Sequence, residues 1–369
     1  MNIESFNEQI TQFNKNNLAI IFDDISDSER AVFVSSARDI TEDIFNTILT
    51  HSMGGITQVA ISHEKAFQLE LQPLRRPTSN ISENSHSVSF CTTVDAREGI
   101  KTGISVHDRV TTLNLLGSST TQARQLVKPG HVFPLIVAQG GVLVKNDLPE
   151  ACYDFINIAN GGDAAVVVEI FNNQGDYLSI RDQIELAENL KINRIGITDI
   201  IKYRLNSEKL VHLQSENQIY NEKENISLNV KTYHSAIFSR DEVAFVYGDL
   251  NQDDTILTRI QSENTLADIF DSSPHSTNAQ LNKALELIKE KGSGVIIYLR
   301  NDDALNSAPM NKKDINMNAP SFIRDYGIGA QILSALNVKK INLLSNSSRN
   351  LVGLSSYGVK VESQTKFDY

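Results

Sequence analysis

The chain has little of what cysteine-based and membrane-based architectures need. Two cysteines, Cys91 and Cys152, occur among 369 residues, which is too few for a disulfide framework or a zinc site built from cysteines. No stretch approaches the roughly 18 consecutive apolar residues that a membrane-spanning helix requires. The polar segment Met1 to Asn16 lacks the basic and apolar regions of a secretion signal. We therefore expect a soluble, cytoplasmic protein with no membrane partner.

Positive charge is also scarce. Lys and Arg number 34 against 45 Asp and Glu, so the formal net charge is −11. Binding to nucleic acid requires clustered cations that neutralise phosphates. A small molecule or another protein is the expected partner, and nucleic acid is not.

Apolar runs alternate with helical patterns along the whole chain, which predicts an α+β or α/β fold. One helix is expected to begin at Asp147 to Glu150 and to end at Gly161 and Gly162, and another covers Asn278 to Lys291. The predicted strands are Leu18 to Phe22, Ser89 to Val94, Val132 to Val137, Ala164 to Ile170, Ala244 to Gly248, Ile256 to Ile260 and Val295 to Leu299.

The length suggests more than one domain. Ser, Glu, Asn and Lys dominate residues 207–231, which predicts a linker there. The expected organisation is a first domain at 1–206 and a second domain at 232–369.

Several motifs in the first half resemble those of 3,4-dihydroxy-2-butanone-4-phosphate synthase. They are Glu98 to Ser105 followed by Asp108 and Arg109, Lys128 to Leu135, and Gly140 to Leu143. In the second half, Arg259 to Glu263, Arg324 to Leu333, Leu343 to Asn346, Val352 to Leu354, and Tyr357 with Gly358 resemble GTP cyclohydrolase II. The order is that of the bifunctional riboflavin-pathway fusion, and the resemblance covers nearly the whole chain.

The resemblance implies a synthase-like α+β domain followed by a cyclohydrolase-like α/β domain, with the synthase half forming a homodimer. It also assigns His131 and Glu169 as the residues that move protons on the substrate. A histidine that satisfies backbone groups and a structural glutamate are the plainer alternatives.

The magnesium ligands that the synthase resemblance implies are replaced. Ser28 stands at the position of a ligand carboxylate, Val32 at a substrate contact, and Leu148 at the ligand histidine. Magnesium requires several oxygen donors, so we expect no divalent cation here.

The zinc ligands of the cyclohydrolase half are replaced as well. The three cysteine positions read Asn264, His275 and Thr277, and one imidazole cannot hold a catalytic zinc. Carboxylates at Asp302 and Asp303 would repel a triphosphate, and Phe322 replaces the general base. The sequence therefore predicts no metal and no cofactor in either half.

Other side chains are candidates for contact with a small-molecule ligand. Asp23 and Asp24 follow the first strand, although such a pair is also ordinary turn chemistry. Thr102 and Ser105 flank a glycine turn that either binds a small anion or is only a turn. In the second half the candidates are Arg259, Glu263 and Arg324, the last of which is alternatively an ion-pair partner within the fold.

Three functional hypotheses follow. The first is a pseudoenzyme of the fusion family that binds a ligand or a partner. The second is a repurposed enzyme in which His131 and Glu169 carry out metal-independent acid/base chemistry on a small carbonyl compound. The third is a structural protein that stabilises an active paralogue by forming a heterodimer.

Overall fold

The computed structural model describes residues 3–26, 28–74, 89–222, 225–235, 237, 240–251, 254–270, 277–300, 320–345 and 359–366, without the side chains of 3, 266–267, 270 and 320–326. The chain divides into two compact units, 1–201 and 202–369. No helix in these described ranges is long and apolar enough to cross a bilayer.

The first unit alternates helices and strands, as the sequence patterns predict. In chain order they are α1 (Ile3–Asn16), β1 (Ala19–Phe22), β2 (Ala31–Ser36), α2 (Glu42–Ser52), β3 (Gln58–Ile61), α3 (His63–Gln68), β4 (Ser89–Phe90), β5 (Val94–Ala96), α4 (Val106–Gly117), β6 (Leu126–Ile136), α5 (Leu148–Asn160), β7 (Ala164–Glu169), α6 (Ile180–Leu190), β8 (Asn193–Gly196) and α7 (Ile197–Ser207), the last of which begins in the first unit and ends in the second. Asp147 and Gly161 cap α5 at the predicted positions.

The strands of this unit form one mixed sheet in the order β4-β6-β3-β7-β2-β1-β8, with β5 paired to β6. β2 is buried along its whole length, and so is β7 up to its last residue, as expected for central strands covered on both faces. The helix α5 packs on β1, β2, β3 and β7. Phe13 of α1 meets Phe155 of α5 edge to face, with ring centroids 4.9 Å apart.

The second unit contains β9 (Val211–Asn221), β10 (Ile226–Ser235), β11 (Arg240–Tyr247), β12 (Thr255–Ser262), α8 (Thr265–Phe270), α9 (Thr277–Lys291), β13 (Gly294–Leu299), α10 (Pro320–Ala335), β14 (Lys340–Leu344) and β15 (Lys360–Thr365). Its strands form a second sheet in the order β15-β14-β12-β13-β11-β10-β9. The predicted strands at 244–248, 256–260 and 295–299 correspond to β11, β12 and β13.

Two details of the sequence interpretation differ from the structure. Residues 207–231, interpreted as a linker, contain β9 and the first half of β10, which pair antiparallel. The strand β9 lies at the sheet edge with most of its side chains exposed, so its polar composition imitates a linker. The predicted strand Ser89 to Val94 is divided between β4 and β5.

Candidate functional site

The sheet of the first unit brings His131 and Glu169 to the same end of its central strands, which is called the sheet edge below. Gln58, the first residue of β3, pairs with Phe133 of β6 and with Val167 of β7. His131 comes two residues before Phe133, and Glu169 comes two residues after Val167. The two residues therefore lie on either side of the segment that leads into β3.

His131 is held by a carboxylate that the sequence interpretation did not single out. Its Nδ1 atom lies 2.7 Å from Oδ2 of Asp95, and its backbone N–H donates to Oδ1 of Asp95 at 3.0 Å. The Asp95 side chain is 8% exposed, whereas that of His131 is 46% exposed. With Nδ1 committed to the carboxylate, Nε2 is the ring nitrogen left for proton exchange with a ligand. The sequence signal that could have identified Asp95 is a charged residue within a buried strand, because a buried charge requires a partner.

The Thr102 to Ser105 turn lies against this pair, although its polar groups are largely committed. Oδ2 of Asp108 accepts hydrogen bonds from the backbone N–H groups of Thr102 and Gly103, both at 3.0 Å. The Ser105 hydroxyl caps α4 by accepting from the N–H of Asp108 at 3.1 Å. Two of the N–H groups that would bind an anion are therefore already bonded within the turn.

Asp23 and Asp24 also serve the local structure. Asp23 accepts hydrogen bonds from the backbone of Ile25 and Ser26, each at 3.0 Å, and from the hydroxyls of Ser26 and Ser28. Burial alone would raise the pKa of Asp23, but these hydrogen bonds outweigh it and lower the pKa. Asp24 accepts from the backbone N–H of Thr198 at 3.0 Å and from the Thr198 hydroxyl, at the start of α7. The contacts of Asp23 are of the turn kind that the sequence left open, whereas Asp24 bonds to a residue 174 positions away.

Four side chains of alternating charge lie next to Glu169 at the same end of the sheet. Arg30 donates from Nη1 to Oδ1 of Asp147 at 3.1 Å. Lys145 places its Nζ 3.1 Å from Oε1 of Glu150 and 3.9 Å from Oδ2 of Asp147. Burial would lower the pKa of Arg30, but attraction to Asp147, Tyr177 and Glu169 together raises it. The sequence interpretation named neither cation as a site residue.

These residues do not fit a divalent cation. Leu148 is a buried apolar side chain, and the Ser28 hydroxyl donates to Asp23. The carboxylates of Asp147 and Glu150 already face Arg30 and Lys145. In the part of the chain that the structure describes, no three His, Cys, Asp or Glu side chains converge as metal ligands.

In the second unit the candidate ligand contacts are occupied by the protein itself. Arg259 donates to Gln261 at 2.7 Å, to Gln280 at 3.0 Å and to the carbonyl of Leu344 at 3.0 Å. Glu263 accepts from the Thr265 hydroxyl at 3.0 Å.

The positions that the cyclohydrolase resemblance assigns to zinc ligands are only partly described. The backbone N–H of Asn264 donates to Asp268, and Thr277 begins α9. His275, Asp302, Asp303 and the side chains of Phe322 and Arg324 lie outside the described residues.

The fold and the site together define a two-domain protein in which a synthase-like unit precedes a cyclohydrolase-like unit. The sequence profile of 3,4-dihydroxy-2-butanone 4-phosphate synthase matches residues 7–203, and that of GTP cyclohydrolase II matches residues 216–366. The chain belongs to the family of riboflavin-biosynthesis fusion proteins that join these two domains.

The sequences of curated relatives align with almost the entire length of this chain. The riboflavin biosynthesis protein RibBA of Chlorobium phaeovibrioides is 30% identical and covers 97% of this chain and 90% of its own. RibBA of Bacillus mycoides is 31% identical, and the alignment covers 96% of this chain and 91% of the relative.

Solved structures are similar in fold. RibBX of A. baumannii, a two-domain 3,4-dihydroxy-2-butanone 4-phosphate synthase, aligns with a TM-score of 0.81 over 99% of both chains at 24% identity. A 3,4-dihydroxy-2-butanone 4-phosphate synthase in complex with two magnesium ions covers 55% of this chain and 97% of its own, with a TM-score of 0.50 at 23% identity.

Proposed function

We propose that this member of the fusion family has lost the magnesium-dependent synthase and zinc-dependent cyclohydrolase activities, and that it binds a small molecule at the sheet edge of its first unit as a pseudoenzyme or regulatory protein. The observation that carries the proposal is the state of the two positions that the resemblance assigns to metal ligands, since Leu148 is a buried apolar side chain and the Ser28 hydroxyl donates to Asp23. A related synthase binds two magnesium ions. Here Leu148 and Ser28 supply no comparable carboxylate or imidazole ligand.

The second unit supports the same proposal. A catalytic zinc is held by three protein ligands and keeps one position for water. Asn264 and Thr277 offer an amide and a hydroxyl in place of two thiolates, and neither is a strong zinc ligand. Arg259 is bonded within the fold rather than open to a phosphate.

A turnover assay tests the loss of activity. We expect purified protein to convert neither ribulose 5-phosphate with added magnesium nor GTP with added zinc, while RibBA of Bacillus mycoides is assayed in parallel as the positive control. Turnover of either compound, abolished by the chelator EDTA, would contradict the proposal.

A second candidate function is metal-independent acid/base chemistry on a small carbonyl compound, and the contact between Asp95 and His131 favours it. A carboxylate on Nδ1 fixes the orientation of the imidazole and leaves Nε2 for proton transfer. Glu169 would be the second proton-transfer group, since it lies at the same sheet edge.

Deuterium exchange tests this second candidate without knowledge of the natural substrate. Dihydroxyacetone in D2O with EDTA is followed by proton NMR, and we expect the wild type to exchange its α-hydrogens faster than His131→Ala. Equal rates for the two proteins would remove the acid/base role. A folded variant, checked by circular dichroism, is required for either conclusion.

We propose further that the protein is a cytoplasmic homodimer. The family resemblance supports the dimer. Light scattering coupled to size exclusion should give twice the chain mass, and a mass equal to one chain would overturn the dimer.

A further inference from the structure

The second unit contains a cavity between its sheet and α10. The volume is about 570 Å³, which is within the range of small-molecule sites in proteins. The last turn of α7, the segment that follows it, the first residues of β9, the middle of β10 and the end of α10 surround the cavity. All of its described lining residues belong to the second unit, so the cavity is separate from the sheet edge of the first unit.

Gln331 of α10 holds one wall of the cavity in place. Its Oε1 atom accepts from the backbone N–H of Leu210 at 2.8 Å, and its Nε2 atom donates to the carbonyls of Leu205 and Glu208 at 2.6 and 2.8 Å. Arg204 also donates to both carboxylate oxygens of Glu208, at 2.6 and 2.9 Å. These contacts fix the segment between α7 and β9, so the cavity is formed without a ligand.

The most buried residues that line the cavity are apolar or aromatic, namely Leu205, Val211 and Tyr233. Burial raises the pKa of Tyr233 to about 12, and the charge of Glu216 adds to the increase, so the hydroxyl remains a donor. Within the described residues this hydroxyl has no hydrogen-bond partner, although buried tyrosine hydroxyls usually find one. The interior therefore suits an apolar, ring-containing body and offers it one donor.

Positive charge is concentrated among the more exposed lining residues. Lys209 is exposed and forms no ion pair with a described residue. Lys231 lies 3.4 Å from Oε2 of Glu216, which is itself 46% exposed. Glu208, the one carboxylate among the described lining residues, is already neutralised by Arg204. The two lysines are therefore available to an anionic group on a ligand.

We propose that this cavity is a second small-molecule site, which takes a compact molecule with an apolar ring and one anionic group. The ring lies against Val211 and Tyr233, and the anionic group, a phosphate or a carboxylate, contacts Lys209 and Lys231. This site goes beyond the proposed function, because it shares no residue with the sheet edge of the first unit.

Fluorescence titration of the full-length protein with three naphthalene compounds tests the proposal. The compounds 1-naphthyl phosphate, 1-naphthoate and 1-naphthol share a ring system and differ in the group that the lysines would contact. We expect the two anionic compounds to bind at one site per chain, and 1-naphthol to bind about tenfold more weakly because it lacks the charge. The tighter of the two anionic compounds identifies which anionic group the site prefers.

Four variants make the result specific. Lys209→Ala and Lys231→Ala should each weaken the anionic compounds by about threefold or more and leave 1-naphthol unchanged. Lys339→Ala is the matched control, because it removes a positive charge from the same unit at a residue outside the cavity lining, and it should bind like the wild type. Ala335 is exposed at the cavity, so Ala335→Phe should fold, fill part of the space and weaken all three compounds.

The proposal is overturned if neither anionic compound binds at millimolar concentration, or if 1-naphthol binds as tightly as they do. Equal losses for Lys209→Ala and Lys339→Ala would also overturn it, since they indicate unspecific attraction to surface charge. Unchanged binding to Ala335→Phe would place the compounds elsewhere and overturn it as well. None of these outcomes bears on the proposed loss of metal-dependent turnover, which the turnover assay tests separately.

Discussion

Oδ2 of Asp95 lies 2.7 Å from Nδ1 of His131. The same carboxylate receives the backbone N–H of His131, so both the position and the ring orientation of this histidine depend on one side chain. Asp95 comes from β5 and His131 from β6, which are antiparallel neighbours. A structural role for His131 and a proton-transfer role make different predictions about this contact.

We predict that Asp95→Asn changes the tautomer of His131. In the wild type the carboxylate accepts the proton of Nδ1, whereas an asparagine amide donates to Nδ1 and shifts the proton to Nε2. Long-range proton–nitrogen NMR spectra distinguish the two tautomers. His107, which contacts Glu42 instead, is the internal control and should not change. An unchanged His131 spectrum would show that Asp95 does not set the tautomer.

We predict that Gly103→Ala disrupts the Asp95 and His131 pair. Gly103 has φ of +80°, and a methyl group there would lie 2.6 Å from Nδ1 of His131 and even closer to Asp95. Overpacking of this kind costs about 1–3 kcal/mol, in addition to the strain of the positive φ. Gly99→Ala is the matched control, because its φ is +78° and its nearest neighbour is Thr111 at 3.7 Å. Urea unfolding should show the larger loss for Gly103→Ala, and equal losses would contradict the packing argument.

The stability of the wild type should fall relative to Glu150→Gln as the pH rises. Burial raises the pKa of Glu150 above its ordinary value of 4.5, and Lys145 only partly opposes this. A carboxyl group with a raised folded-state pKa stabilises the fold below its unfolded pKa, and this contribution is lost as the pH rises through the folded pKa. Between about pH 4.5 and pH 8, the free energy of unfolding in urea should therefore decrease for the wild type relative to the variant. A constant difference across this range would show that Glu150 titrates normally.

We predict that the purified protein carries no stoichiometric zinc. The three positions that the cyclohydrolase resemblance assigns to cysteine are Asn264, His275 and Thr277, and without thiolates the affinity falls far below that of a thiolate site. Elemental analysis by mass spectrometry is the measurement. One tightly held zinc per chain would contradict the prediction.

We predict that Arg259→Lys destabilises the second unit. Arg259 makes hydrogen bonds to Gln261, Gln280 and the Leu344 carbonyl, and lysine cannot reproduce this planar set of donors. The expected loss is about 1–3 kcal/mol in unfolding free energy. Arg300→Lys is the control, since Arg300 is largely exposed and lies 3.9 Å from Glu263. Equal effects of the two substitutions would argue against a structural role for Arg259.

The sequence by itself determined the fold class and the residues that define the family. Apolar runs such as Ala164 to Ile170 must be buried, so β7 follows from composition and periodicity alone. The ends of α5 follow from Asp147 and Gly161, because capping depends on neighbouring residues. The linker prediction at 207–231 was wrong for β9, because an exposed edge strand has the composition of a loop.

Only the tertiary structure decided which charges meet. Asp95 lies 36 residues from His131, and Arg30 lies 117 residues from Asp147. No local sequence pattern predicts such pairs. The same is true of Asp24 at the start of α7, where the contact with Thr198 spans 174 residues. Hydrophobic periodicity is local and therefore readable along the chain, whereas the compensation of a buried charge depends on strands and loops that only the folded sheet brings together.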